Sequence, residues 1–132
     1  HCSGAKLNTV VSVGTNYSLT KLWENPSPTA AWSTASISIS NMSTYNHFYI
    51  VLKHSNDTDY YASMFIPKGN LPFSVACTGI YSSQLRNAFR TFTQTSTGFS
   101  VEATGHLTRT GDNTAHNSTE YAIPYAIYGV KV

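Results

Sequence analysis

Tyr121-Ala-Ile-Pro-Tyr-Ala-Ile-Tyr-Gly-Val-Lys-Val132 is the stretch of sequence that decides the fold class. Large residues alternate with small ones from Tyr121 to Ile127, which is the two-residue period of a β-strand. Pro124 has no backbone N–H, so this strand is predicted to be a sheet edge or to bulge at that position. An exposed edge rich in Tyr and Ile favours aggregation, and we expect homo-oligomerisation to cover it.

The composition supports an all-β chain. Only 11% of the 132 residues are charged, against about 25% in an ordinary soluble domain. Polarity comes instead from 17 Ser, 17 Thr and 10 Asn. These side chains compete for backbone hydrogen bonds inside helices but are well suited to strands and turns. The length fits one domain with a substantial core.

Short apolar runs separated by turn residues predict an antiparallel β-sandwich or jelly roll of eight or nine strands. Residues 1–18 are expected to be a lead-in segment or a weak first strand, and residues 19–132 the sandwich. Residues 55–59 are predicted to form a turn, and residues 104–120 a long polar loop with its apex at 111–113. The predicted strands cover residues 18–23, 35–39, 48–53, 60–66, 73–78, 84–94, 99–103 and 121–132.

The charge pattern argues against several classes of partner. The net charge is +2 and the basic residues are scattered, whereas nucleic-acid binding needs a clustered basic face. Arg86 and Arg90 are the only close pair, and we expect both to be solvated. No apolar run reaches the ~18 residues of a membrane span, so no membrane insertion is predicted. Cys2 and Cys77 are interpreted as a terminal and a buried thiol rather than a disulfide.

A search for catalytic or metal-binding groups gives weak candidates. Asp57 and Asp59 lie close in sequence, but on a turn such residues more often cap their own backbone than act as a glycosidase pair. Together with Asn56 they also offer the hard oxygens that Ca²⁺ prefers, and this alternative stays open. We predict no cofactor and no enzymatic activity.

The histidines are interpreted as surface residues. His47 and His54 are seven positions apart on one predicted strand, so they point to opposite faces and cannot share a metal ion. His106 and His116 flank the long polar loop and could approach each other.

Two stretches have the composition of binding loops, in which aromatic rings supply contact area and amides and hydroxyls supply adaptable hydrogen bonds. The first surrounds residues 55–61 and the second residues 104–118. The candidate ligand-binding residues are Asp57, Asp59, Tyr60 and Tyr61 in the first, and Arg109, Asn113 and His116 in the second.

Three segments resemble the C-terminal head domains of bacteriophage and prophage tail proteins. They bracket residues 19–132 and are structural rather than catalytic in character. The segments are Lys21-Leu-Trp-Glu-Asn-Pro-Ser-Pro-Thr29, Arg90-Thr-Phe92 followed by Thr and Ser residues and Gly98, and Ile123-Pro-Tyr-Ala-Ile-Tyr-Gly-Val-Lys131.

This resemblance implies a β-rich, homotrimeric head at the tail tip of a virion, outside the cell, that binds a glycan or protein receptor on the bacterial surface. Both candidate loops would then face the host. Three alternatives remain: a secreted lectin-like module acting alone, a small glycan hydrolase or esterase, and a purely structural tail or capsid decoration protein.

Overall fold

The computed structural model describes residues 18–69 and 71–131, apart from the side chain of Asn113. The predicted lead-in segment and Cys2 lie outside the described residues, except that Ser18 begins the first described strand. The described chain is almost entirely β, with a single 3₁₀ turn at Met42–Thr44, so the predicted fold class is confirmed. Its ten strands are β1 (Ser18–Glu24), β2 (Ser36–Ser38), β3 (His47–Ser55), β4 (Tyr61–Pro67), β5 (Pro72–Tyr81), β6 (Gln84–Thr95), β7 (Gly98–Val101), β8 (Gly105–Arg109), β9 (Asp112–Ser118) and β10 (Tyr121–Lys131).

The strands form two antiparallel sheets. The first has the order β1-β10-β3-β4, and the second the order β2-β7-β6-β8-β9 with β5 on the other side of β6. β6 is 12 residues long, which lets it pair with β7 near one end and with β8 near the other. The two sheets bury one core between them, as in a β-sandwich.

The core follows the two-residue period of the strands. Phe48, Ile50 and Leu52 on β3 are fully buried. On β5, Val75 and Cys77 are buried while the residues between and beside them are exposed. The prediction that Cys77 is buried is therefore confirmed, whereas the prediction on its pairing with Cys2 involves a residue outside the described ones.

The terminal strand is central, so the prediction of a sheet edge was wrong. β10 pairs with both β1 and β3. The alternative prediction of a bulge is confirmed, because the register with β3 shifts between Pro124 and Ala126. The pairing with β1 ends at Glu24, and Asn25 then donates its side-chain N–H to the Pro124 carbonyl at 2.8 Å. The missing proline donor is thus accommodated inside the sheet, and β10 offers no free edge to a second copy.

The polar stretch at residues 104–118 is a β-hairpin, not the loop that was predicted. β8 and β9 pair across it, and Gly111, with φ of +83°, lies in the turn. Leu107 faces the core with 1% of its surface exposed. Polar residues are tolerated on β9 because it is the outermost strand of its sheet.

Arg90 is fully buried, so the expectation that it is solvated was wrong. It lies on β6 between the segments that pair with β8 and with β7. Burial lowers its pKa from the ordinary value of an arginine to about 10, so it stays protonated at neutral pH. Its guanidinium donates to the backbone carbonyls of Ala122 (2.8 Å), Tyr121 (2.7 Å), Thr119 (3.5 Å), Glu102 (2.8 Å) and Trp32 (3.1 Å). One side chain on β6 therefore contacts the start of β10 and three of the segments that connect strands.

Candidate functional site

The main candidate site is a cavity of about 300 Å³ at one end of the sandwich, hereafter the polar cleft. It is formed where the turn after β3, the β5–β6 hairpin and the start of β10 meet. Most of its lining side chains are polar or charged. They are His54, Ser55, Asn56, Asp57, Tyr81, Arg86, Leu107, Glu120 and Tyr121.

The turn after β3 is held by its own side chains. The Ser55 hydroxyl lies 2.8 Å from the Asp57 carboxylate and 3.0 Å from the Thr58 hydroxyl. The Asn56 N–H donates to the Glu120 carbonyl at 3.0 Å, which ties the turn to the start of β10. Short polar side chains that bond to nearby groups favour this kind of turn. Asp57 and Glu120 are thereby brought to the lining of the same cavity.

The β5–β6 hairpin contributes an arginine to the lining of the cleft. Its two-residue turn is Ser82-Ser83, both with positive φ (48° and 64°), as the tightest hairpins require. The Arg86 guanidinium lies over the Tyr81 ring at 4.9 Å, and its Nε donates to Gln84 at 3.0 Å. Its two terminal nitrogens donate no hydrogen bond to any described residue. The guanidinium is thus oriented but keeps its outer donors for another partner.

A second arginine stands beside the first. Arg109 on β8 is directly opposite Arg86 on β6, and residues opposite each other in an antiparallel pair share a face. Its buried Nε has no hydrogen-bond partner among the described residues. Asp112 is the next residue across, opposite Arg109 on β9, but it pairs with His116 at 2.6 Å. The two arginines therefore occupy neighbouring positions, and neither forms an ion pair with a carboxylate of the described residues.

His54 forms the buried part of the cleft, so the interpretation of the histidines as surface residues was wrong for this one. Only 2% of its surface is exposed, and burial lowers its pKa, which leaves the ring neutral at pH 7. Its Nε2 lies 3.4 Å from the Arg86 carbonyl, while its Nδ1 has no partner among the residues described. The Tyr60 and Tyr81 rings pack around it, with centroids 6.1 and 6.4 Å away.

The predicted residues of the first loop divide between the two faces of the sheet. Asp57 lines the cleft. Tyr60 packs against His54, and the Tyr60 hydroxyl donates to the Ile80 carbonyl at 3.1 Å. Tyr61 points to the opposite face and packs against Tyr125 at 5.0 Å. Asp59 is exposed and is not among the residues that line the cleft.

The predicted residues of the second loop contribute less. Arg109 is the neighbour of Arg86, and His116 is paired with Asp112 as described above. The side chain of Asn113 lies outside the described residues. His106 and His116 do not approach each other, because successive residues of the β8–β9 pairing point to opposite faces. His106 instead contacts Glu102 at 2.8 Å.

Sequence reasoning missed His54, Tyr81, Arg86 and Glu120 as site residues. Two of them carried a usable signal. His54 has the same parity as the buried apolar residues of β3, and Arg86 has the same parity as the buried Ala88 on β6. A polar residue at the last core-facing position of a strand indicates that the apolar core ends there and that a cavity begins.

In residues 18–69 and 71–131, no three His, Cys, Asp or Glu side chains come together in a way that could hold a metal ion. The same residues include no helix with the length and apolarity needed to cross a bilayer. Comparisons with protein-family models, with curated proteins and with solved structures found no match to this chain.

Proposed function

We propose that this domain is a non-catalytic binding module that attaches to a hydroxyl-rich glycan through the polar cleft. The observation that supports the proposal is that side chains of the cleft, which are held on strands and a tight turn, have donor or acceptor atoms without a partner among the described residues. Arg86 and His54 keep free donors or acceptors, and Tyr81 is fixed beneath Arg86. Sites held by strands and tight turns bind with little ordering cost, since their geometry exists before the ligand arrives.

We place this binding module at the tail tip of a bacteriophage, as a receptor-binding head that meets the bacterial surface. The support for this setting is the resemblance of three sequence segments, two of which fall on β1 with its following loop and on β10. In a homotrimer, three weak sites acting together would raise avidity through effective concentration.

Binding of a fluorescent fusion to a panel of bacteria, and to purified surface glycans, tests the proposal. Arg86→Gln should reduce the bound fraction at least tenfold because it removes a charged donor fork from the cleft. Lys131→Gln is the matched control, since Lys131 is exposed at the far end of β10. No binding to any member of the panel, or equal binding by both variants, would contradict the proposal.

Molar mass in solution tests the trimer separately. The proposal expects the mass of three chains, whereas a lectin-like module acting alone should be monomeric or dimeric. A decoration protein with a purely structural role should show no affinity for cells.

Glycan hydrolysis is a second candidate because Asp57 and Glu120 line the same cavity. Glycosidases use two carboxyl groups roughly 5–10 Å apart across the scissile bond. Incubation with wall polysaccharide, followed by an assay for new reducing ends, separates the two functions. We expect no release; release that is abolished by Glu120→Gln would establish the enzyme instead.

A further inference from the structure

We propose that the polar cleft takes a zwitterionic group, in which a protonated amine and a phosphate or carboxylate are joined by a short linker. This inference rests on the proposed binding role of the cleft and names the class of ligand. It follows from the way in which opposite charges are arranged around the cavity.

The cationic group that lines the cleft is Arg86, and a second arginine, Arg109, lies directly opposite it on the neighbouring strand, outside the cleft lining. Arg86 and Arg109 are cross-strand neighbours, and like charges at such positions destabilise a sheet. Arg86 is oriented by Tyr81 and Gln84 while its terminal nitrogens remain without described partners. A planar fork of this kind suits the oxygens of a carboxylate or phosphate. An anionic group bound here would also relieve the repulsion.

The acidic side consists of two carboxylates with free oxygens. Asp57 receives a single hydrogen bond, from Ser55, and the Glu120 side chain makes none with the residues described. The ion pairs within the described residues are those of Lys21 with Glu24 and of two histidines with neighbouring acids. None of them joins the two sides of the cleft. Asp57 and Arg86 therefore face one cavity without neutralising each other.

A ligand with one kind of charge meets repulsion on one side of this cavity. A simple anion would be attracted by Arg86 but repelled by Asp57. A simple cation would be attracted by Asp57 but repelled by Arg86. A zwitterion satisfies both sides, and specificity of this type comes as much from the repulsion of wrong ligands as from attraction of the right one. The neutral His54 ring between the two sides can donate to or accept from the linker or a hydroxyl.

The dimensions fit a small head group. A cavity of about 300 Å³ is at the lower end of the range for ligand pockets. A terminal substituent on a surface polymer would enter it, whereas the polymer itself would remain outside.

Titrations of the ¹⁵N-labelled protein with small probes test the ligand class. The zwitterions are phosphoethanolamine and β-alanine, which separate a phosphate source from a carboxylate source. The single-charge controls are ethanolamine and inorganic phosphate. We expect one zwitterion to shift the amides around residues 54–57 and to bind at least tenfold more tightly than either control.

Two variants remove one charge each without removing the local hydrogen bonds. Asp57→Asn keeps an acceptor for Ser55, and Arg86→Gln keeps an amide donor; each should weaken zwitterion binding about tenfold, and Lys131→Gln should not. Equal affinity for a zwitterion and a single-charge control would overturn the inference, as would unchanged affinity in Asp57→Asn.

The two proposals fail in different ways. If cell binding depends on Arg86 but the protein binds neither zwitterion more tightly than the single-charge controls, the binding function stands and the ligand class is rejected. Zwitterion binding in the cleft, with cell binding unaffected by Arg86→Gln, would support the ligand class and reject the receptor-binding function.

Discussion

The clearest test of the fold is replacement of Arg90 by Met. Methionine has a similar length and no polar donor, so it fills the space but removes five hydrogen bonds to backbone carbonyls. The Thr119 carbonyl also accepts from the Trp32 N–H and keeps that partner. Exchange of buried charges for apolar residues can be neutral when every partner is exchanged too. Here the partners belong to the main chain and cannot be removed.

The expected magnitude follows from the bond lengths. Four of the five hydrogen bonds are 3.1 Å or shorter, and the net loss for each is about 1 kcal/mol. Arg90→Met should therefore lower the free energy of unfolding by about 4 kcal/mol, a large share of the roughly 5–15 kcal/mol of an ordinary domain. With a urea m-value of about 2 kcal/mol/M, the midpoint should fall by about 2 M.

Urea denaturation followed by tryptophan fluorescence measures this change, because Trp23 and Trp32 pack edge to face at 5.6 Å in the native state. Arg90→Lys keeps the charge but lacks the fork, so its stability should lie between Met and wild type. Arg86→Met is the control and should lose less than about 1 kcal/mol, because Arg86 is partly exposed. An Arg90→Met protein as stable as the Arg86→Met protein would refute the reasoning.

Three further outcomes are expected. The hydrogen bond that His106 donates to the Glu102 carboxylate raises the pKa of His106 above 6.5, so the stabilisation from this pair is present below pH 6.5 and is lost as the pH rises through the raised value. His106→Gln should therefore cost more stability at pH 5.5 than at pH 8.5 in urea titrations. Gly105→Ala would place a Cβ against the Tyr121 carbonyl oxygen of β10, well inside van der Waals contact, and should lower the free energy of unfolding by about 3 kcal/mol. Gly69→Ala meets no atom of the described residues within 4 Å and should change the thermal midpoint little. Tyr61→Ala should leave binding in the polar cleft unchanged, because its ring lies on the opposite face of the sheet, and a loss of affinity there would show that ligand also contacts that face.

The segments predicted as polar loops show the limit of prediction from local sequence pattern. Residues 104–118 are rich in Thr, Asn and Ser, which are equally compatible with a loop and with an edge strand whose outer side meets water. Only the pairing of β8 with β6 decides between them. The same limit applies to the seven predicted site residues, because neighbours in sequence such as Tyr60 and Tyr61 separate to opposite faces once the strand forms.

The sequence by itself determined the all-β class, most of the strand positions and an edge or a bulge at Pro124, because these depend on residue type and on a two-residue period within one segment. Tertiary structure alone decided that β10 is central, that Arg90 is buried and that Asp57 faces the same cavity as Arg86. Each of these depends on which strands pair across the chain. Strand pairing is set by the packing of a shared core between residues far apart in sequence, and no local pattern carries that information.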